Sequence, residues 1–411
     1  MSIRRRVALL LAAGLLARVA NSAPAVGPGV GKDNAHQHHP TPSQAGGDAV
    51  REAKAVSPER LRERADLLKS GEAALARLDV AAALGAFERA ALILHAADTE
   101  IALVRSYMQA GDYRRALGFG AHTAGAHLDV AGGSLLYAWL LHSGGQPVIA
   151  QRLLVEISAR LPDDALVQAV QRQLRSGAPS ATGELLAPPV RLAPYGQTQG
   201  LPASARSVGS AVLLPGGRAA LMPLSLLPRS GRLWLRNGLG QLTAASVEKR
   251  LTDVDVALVR LKRPMPMATE FRVAVRDAFP GSAGFAVEYV RAPNASPAWP
   301  VLRAGFLGGT DGNCGARLLG IDMPAGSRGG PVFDGAGQFI GLALPGASAK
   351  GGDRLVTASR LNKAIGSAPL FAQATAGPTP REAVDNIYEA SLRSALQVIT
   401  ATSMRKQPPA Q

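Results

Sequence analysis

The residues of this chain that could do chemistry are a serine in a glycine-rich loop, an aspartate before an apolar run, and a group of histidines. Ser327 and Arg328 precede the tight run Gly329–Pro331, and Asp255 opens a run of mostly apolar residues. A serine hydroxyl becomes a nucleophile when an imidazole takes its proton and a carboxylate orients the imidazole. All seven histidines lie at or before His142. The region that holds this serine and this aspartate therefore lacks the imidazole.

A strand-rich domain must position these residues, because the pattern after Val190 consists of short apolar runs separated by glycine and proline. Runs of this length with turn residues between them are typical of the strands of a barrel or a sandwich. The predicted strands are Gly209–Leu214, Leu233–Leu235, Val254–Leu261, Ala283–Tyr289, Gly315–Ile321, Pro331–Phe333, Phe339–Leu344 and Leu355–Ala358.

Three segments of this domain resemble trypsin-like serine proteases. The loop Gly326–Phe333, followed by Asp334–Gly341, is similar to the family's nucleophile loop, which reads Gly-x-Ser-Gly-Gly-Pro and leads into two apolar strands. Asp255–Leu261 is similar to the strand that carries the family's catalytic aspartate. Gly209–Leu214, with Gly217 beyond it, resembles the hairpin that leads to the catalytic histidine. The segments occur in the family's order and best fit its disulfide-free bacterial branch.

The resemblance implies a trypsin-like double β-barrel over residues 190–366 with a degenerate catalytic triad. Asp255 stands at the position of the family's aspartate, Leu224 at that of its histidine and Arg328 at that of its nucleophilic serine. Ser327 is a neighbour whose hydroxyl a one-residue shift would point elsewhere. Losing members of a triad lowers the rate by several orders of magnitude. We therefore expect no catalytic residue, no cofactor and no metal in this chain.

Two roles remain open for the loop around Arg328. In the first role, its glycines and its proline turn the backbone between two strands and do nothing else. Alternatively, Arg328 fills the former catalytic cleft and pairs with Asp255, because a new cation accompanies the retained acid. A direct contact between the guanidinium and the carboxylate is the prediction that a structure can test.

A helical-repeat region is predicted before the barrels, over residues 57–176. Its turn positions Leu78, Gly111 and Gly145 are separated by 33 and 34 residues. This period resembles tetratricopeptide repeats, which stack into a surface that binds peptides or proteins. The hairpins could equally form a packed bundle that supports the next domain. The histidines of this region are expected to be ordinary exposed or hydrogen-bonded helix residues: His95, His122, His127 and His142.

The N-terminal residues are predicted to be an export signal. Arg4–Arg6 precede the apolar run Val7–Ala17 and small residues follow, so we expect a signal peptide over residues 1–22 and a periplasmic or secreted protein. Two stretches are rich in proline, glycine and alanine: residues 23–56 are predicted to be a flexible, disordered linker, and residues 177–189 are predicted to be the interdomain linker. No apolar run is long enough to predict a membrane-spanning helix.

A C-terminal amphipathic helix is predicted over residues 379–403. Thr379 and Glu382 have the spacing of a capping box, with proline at the first helical position. Apolar residues from Val384 to Ile399 then recur at helical spacing. Packing on its own protein and docking to a partner are both compatible with this pattern.

Composition narrows the kinds of partner and of site. The chain has 45 Lys+Arg against 30 Asp+Glu, a net charge of +15, and residues 178–411 hold most of this excess. The basic residues are dispersed and aromatic residues are only 4%, which favours acidic partners, lipid head groups or wall polymers over nucleic acid. Cys314 is the only cysteine, which excludes an intramolecular disulfide and any multi-cysteine metal site.

These patterns together favour an exported, catalytically inactive serine-protease homologue that acts as a protein-binding or assembly factor in the cell envelope. Its expected partners are proteins or peptides, and its oligomeric state stays open. The alternative is an active trypsin-like serine endopeptidase with an atypical site. A third possibility is a purely structural component of the envelope.

Overall fold

A computed structural model describes most of the chain after residue 55. The predicted signal peptide over residues 1–22 and all but the last residue of the predicted linker 23–56 lie outside the described residues. Within the described part, none of the helices combines the length and the hydropathy of a membrane-spanning segment. The described residues are 56–175, 181–266, 272–310, 317–323, 328–346, 352–366 and 380–401.

Helical hairpins form the N-terminal part of the described chain. They turn at the positions predicted from the repeat: Leu78, Gly111 and Gly145 have left-handed backbones with φ of 62°, 75° and 87°. Glycine reaches this region at no steric cost, whereas a leucine seldom does. The helices are α1 (Pro58–Ala76), α2 (Val80–Ile93), α3 (Ala97–Ala110), α4 (Tyr113–Ala126), α5 (Ala131–Ser143), α6 (Pro147–Arg160) and α7 (Ala165–Arg175), with α8 (Ala358–Ile365) and α9 (Val384–Ser394) later in the chain.

Short polar side chains begin three of these helices. Ser57, Asp79 and Asp112 precede α1, α2 and α4, and each accepts a hydrogen bond from the backbone N–H three residues later, at 3.4, 3.1 and 3.3 Å. These bonds satisfy N–H groups that have no partner within the first turn of a helix. The sequence therefore fixes where these helices begin.

Two closed six-stranded antiparallel β-barrels follow the helices, which confirms the predicted all-α region followed by an all-β double barrel. The strands are β1 (Arg206–Leu213), β2 (Ala219–Pro223), β3 (Arg232–Asn237), β4 (Leu242–Leu251), β5 (Val256–Leu261), β6 (Ala283–Glu288), β7 (Val301–Thr310), β8 (Arg317–Gly320), β9 (Pro331–Phe333), β10 (Phe339–Leu344), β11 (Arg354–Thr357) and β12 (Ala395–Ala401). Their order is β1-β12-β3-β4-β5-β2 in the first barrel and β10-β11-β8-β7-β6-β9 in the second. Alternate residues of a strand face the barrel interior, such as Ala211 and Leu213 of β1.

The C-terminal segment differs from the single helix predicted over residues 379–403. Only α9 is helical, and Ala395 begins β12 directly after it. β12 lies between β1 and β3, with Val398 opposite Leu235, and every residue of the strand is buried. The strand closes the first barrel and removes two open sheet edges, a long-range gain that helical spacing cannot reveal.

The stretch 177–189, predicted to be the interdomain linker, is packed where the structure describes it. Leu185 is buried in the apolar core, and Arg105 of α3 donates a hydrogen bond to the carbonyl of Pro189 at 2.8 Å. Buried apolar and hydrogen-bonded contacts of this kind hold a segment in one conformation. Residues 181–189 therefore form a packed connection between the helices and the barrels.

The helical region packs directly on the barrels through one continuous apolar core. Tyr113 of α4 and Tyr388 of α9 meet edge to face with ring centroids 4.5 Å apart, and the Tyr388 hydroxyl donates to the carbonyl of Pro300 at 2.7 Å. Arg393 of α9 donates to the carbonyl of Ala110 at 2.9 Å, at the end of α3 where the helix dipole favours a cation. Almost every residue of α3 and α5 is buried, so these two helices have little surface left for a partner.

Candidate functional site

Leu224 and Asp255 lie next to each other at one end of the first barrel. Leu224 follows β2, and Asp255 precedes β5, the strand that pairs with β2. The Leu224 N–H donates to the Asp255 carbonyl at 2.9 Å. Asp255 has a left-handed backbone with φ of 56°, which aspartate tolerates better than most residues. The pairing of β2 with β5 therefore brings together the two positions that the resemblance assigned to the family's histidine and aspartate.

The loop that carries Arg328 belongs to the second barrel and packs on the first barrel. The Ser210 N–H of β1 donates to the Arg328 carbonyl at 3.4 Å. Gly329 has φ of 117° and lies so close to Ser210 and Pro223 that a Cβ atom would collide with both. Because Pro223 directly precedes Leu224, the loop meets the first barrel beside the position of the family's histidine. The predicted site positions therefore converge on the cleft between the barrels.

The charged side chains of the cleft pair differently from the expected direct contact between Arg328 and Asp255. Nε of Arg328 donates to Oδ2 of Asp353 at 2.6 Å, and the Arg328 side chain is only 10% exposed. Oδ2 of Asp255 accepts from Arg354 at 3.2 Å, and the Asp255 side chain is 61% exposed. Asp353 and Arg354 are consecutive where β11 begins, and neighbouring side chains of an extended segment point in opposite directions. Two separate ion pairs from one corner of β11 therefore replace the predicted pair.

A buried carboxyl group lies behind the loop. Glu288 ends β6, and its Oε1 accepts a hydrogen bond from the Gly330 N–H at 3.0 Å. Burial raises the pKa of Glu288 to about 8, against the opposing hydrogen bonds from Ser210 and Gly330 and the charge of Arg328. Its Oε2 is buried and has no hydrogen-bond partner among the described residues. Glu288 therefore ties the loop to the barrel from a position that a substrate cannot reach.

Ion pairs and backbone hydrogen bonds fill the described part of the cleft. Leu224, which the resemblance assigns to the histidine position, is half-buried and packs against the core of the first barrel. No residue after His142 is a histidine. The guanidinium of Arg328 is committed to Asp353, and Asp255 faces solvent. In the described part of the cleft, Arg328 and Asp255 thus each pair with a residue at the start of β11.

Sequence reasoning missed the residues that hold this loop in place. Asp353 and Arg354 are adjacent opposite charges before an apolar strand, a signal that could have indicated residues at the mouth of a barrel. Glu288 follows the apolar residues of β6, and its position in the sequence does not indicate a contact with the loop that carries Arg328. Ser327 and Cys314 lie outside the described residues.

Comparisons with known proteins yield similarity to solved protease structures over part of the chain. Neither a protein-family profile nor a curated protein matches. The protease domain of MamO from Magnetospirillum magneticum, in its apo form, is 16% identical over 42% of this chain and 100% of its own, with a TM-score of 0.29. The HtrA-type protease AlgW, solved with a decapeptide, is 16% identical over 38% of this chain and 50% of its own, with a TM-score of 0.30. Similarity at this level carries no statement about activity, substrate or partner.

Proposed function

We propose that this chain is an exported, catalytically inactive homologue of trypsin-like serine proteases that binds another protein in the cell envelope. The observation that carries the proposal is the state of the nucleophile position. There, the buried guanidinium of Arg328 is paired with Asp353, and the loop is hydrogen-bonded to the first barrel through Ser210. A cleft closed by its own side chains favours a scaffold over an enzyme.

Physical chemistry argues against proteolysis at this cleft. Without a base that takes its proton, a serine hydroxyl is a poor nucleophile at neutral pH, and Ser327 has no histidine after it or in its domain. Leu224 offers no proton acceptor. A substrate that displaced the Asp353 carboxylate would have to offset the loss of its largely buried ion pair with Arg328. The cleft would therefore disfavour both binding of a peptide bond and its cleavage.

A groove on the second barrel supports the binding part of the proposal. Phe279 and Phe306 flank this groove and are 63% and 65% exposed. The guanidinium of Arg276 lies 5.3 Å from the centre of the Phe279 ring, and Arg381 and Glu382 also line the groove. Exposed aromatic side chains with charged neighbours are typical of surfaces that bind proteins. We assign the partner contact to this groove, with apolar side chains of the partner against the two phenylalanines.

The helical region has a supporting role in this proposal. The repeat spacing and the left-handed turns at Leu78, Gly111 and Gly145 favour tetratricopeptide-like hairpins. Because α3 and α5 are buried against the rest of the chain, these hairpins stabilise the barrels rather than hold a peptide on that side. The arginines and the apolar run of the first 22 residues support export.

A crosslinking pull-down from envelope extracts tests the binding surface. Replacing Phe279 and Phe306 by serine should lower recovery of the partner by about tenfold or more, because buried aromatic anchors dominate interface energies. The matched control replaces Val148 and Val155, exposed apolar residues of α6, by serine and should leave recovery unchanged. Equal loss in both variants, or recovery that the phenylalanines do not affect, would contradict the groove as the binding surface.

A further inference from the structure

Three histidines of the helical region surround one buried glutamate. Nε2 of His95 lies 2.6 Å from Oε1 of Glu100, and Nε2 of His122 lies 3.5 Å from the same oxygen. Nε2 of His127 lies 3.3 Å from Oε2 of Glu100. His95 comes from the loop before α3, Glu100 from the first turn of α3, His122 from α4, and His127 directly follows α4. The fold therefore gathers histidines that the sequence spacing gave no reason to connect.

Two buried polar atoms at the centre of this cluster have no hydrogen-bond partner among the described residues. The side chains of Glu100 and His127 are only 5% and 9% exposed. Among the described residues, neither Oε2 of Glu100 nor Nε2 of His127 has a hydrogen-bond partner of good geometry, although the two atoms face each other. Buried polar atoms without partners are destabilising and rare in native proteins. A cation between the two atoms would satisfy both.

We propose that His95, Glu100 and His127 bind a divalent transition metal ion, with Zn²⁺ as the best-fitting class of ligand. One donor atom from each residue lies within 4.8 Å of the others. Zinc binds imidazole nitrogen and carboxylate oxygen at about 2.0–2.2 Å, so its ligand atoms stand roughly 3.3 Å apart around a tetrahedron. The donor atoms here need only small side-chain shifts to reach that spacing. His122, half-exposed beside Oε1 of Glu100, is positioned to complete the coordination.

The carboxylate of Glu100 lies at the centre of the cluster, with imidazole nitrogens of His95 and His122 near one oxygen and that of His127 near the other. Metal ligation would replace three imidazole contacts by bonds to one ion and would join the start of α3 to the end of α4. The ion would thus stabilise the helical region that supports the barrels.

Zinc titration of the full chain by calorimetry tests the site. The background protein for every titration has serine in place of three histidines that could also bind Zn²⁺: His36, His38 and His39. We expect binding of about one Zn²⁺ per chain, as for a closed structural site, and an affinity at least about tenfold lower for His127→Ala. The matched control is His142→Ala, because His142 is equally buried but lies outside the cluster. This control should bind Zn²⁺ as the background protein does.

A second variant separates loss of the site from loss of the fold. His95 is half-exposed, so His95→Ala is expected to fold and yet to lose affinity. Zn²⁺ should raise the unfolding temperature of the background protein and leave that of His95→Ala unchanged. Co²⁺ bound in place of Zn²⁺ should give the visible absorption of a four-coordinate site. Absence of Zn²⁺ binding, or equal binding by His95→Ala and His142→Ala, would overturn the proposal and leave a hydrogen-bonded cluster only.

Discussion

The side chain of Arg328 is positioned by a residue that the family pattern does not contain. A guanidinium that is nearly buried needs a compensating charge, and Asp353 provides it from the start of β11. The next residue, Arg354, pairs with the largely exposed Asp255. Consecutive residues at the start of β11 thus provide a partner for each of these two charges. The two ion pairs differ in burial, which makes them unequal in their effect on stability.

Replacing Asp353 tests the inner ion pair. Asp353→Asn removes the carboxylate that pairs with the largely buried guanidinium of Arg328 and should lower the free energy of unfolding by about 3 kcal/mol. The control, Asp255→Asn, breaks the exposed pair and should cost less than about 1 kcal/mol. Urea denaturation of both variants measures the difference. Equal costs would mean that the inner pair does not stabilise the loop.

Glu288 should make stability fall as the pH rises. Its folded-state pKa, about 8, lies above the ordinary value of 4.5, so the folded chain keeps a proton that the unfolded chain has released between these values. The contribution of the protonated Glu288 to the free energy of unfolding is fully present below about pH 4.5 and is lost as the pH approaches 8. Glu288→Gln removes the titration and keeps the acceptor for Gly330. As the pH rises through this window, the free energy of unfolding of the variant should therefore increase relative to that of the wild type by up to about 1.4 kcal/mol per pH unit.

Chemical denaturation across this pH window, with Glu184→Gln as an exposed control, measures that gain. The control variant should follow the wild type at every pH because its side chain faces solvent. A difference between Glu288→Gln and the wild type that stays constant with pH would contradict an uncharged buried Glu288.

At the scale of elements, the first barrel cannot close without β12. It pairs with β1 on one side and β3 on the other, although it follows both far along the chain. Closure of the barrel therefore requires a segment more than 150 residues after β3, and long-range pairing of this kind is slow to form. Without β12, two strands would present unpaired backbone groups to solvent or to another copy.

Truncation tests the role of β12. Deleting residues 395–411 should abolish the folded protein and yield aggregates on size-exclusion chromatography, because the edges of β1 and β3 become available. Deleting residues 402–411 alone keeps the strand and should leave the elution volume close to that of the full chain. A folded, non-aggregated protein after the longer deletion would contradict β12 as a required part of the barrel.

The limits of sequence reasoning are visible in the same elements. The turns at Leu78, Gly111 and Gly145 were predictable, because a local repeat and helix geometry determine them. The order of the family segments also predicted that Leu224 and Arg328 would share a cleft. The strand β12 was not predictable, since its apolar residues suit a helix as well as a strand and only distant neighbours decide. The partners of Arg328 and of Glu100 likewise depend on contacts between remote segments.

At the scale of the whole molecule, helices, barrels and C-terminal segment share one apolar core. The Tyr113–Tyr388 contact and the bonds from Arg393 join α3 and α4 to α9, which leads directly into β12. The helical region is therefore part of the same structural unit as the barrels. Such a unit is compatible with the proposed scaffold, whose partner would bind the groove flanked by Phe279 and Phe306.

Labelling with a fluorophosphonate probe, alongside a casein cleavage assay, tests the central claim of a cleft without serine chemistry. The wild type should show neither labelling nor cleavage, because Ser327 has no imidazole base. Arg328→Ser restores a hydroxyl at the nucleophile position and should remain inactive for the same reason. Covalent labelling of the wild type at Ser327, lost in Ser327→Ala together with casein cleavage, would contradict the account.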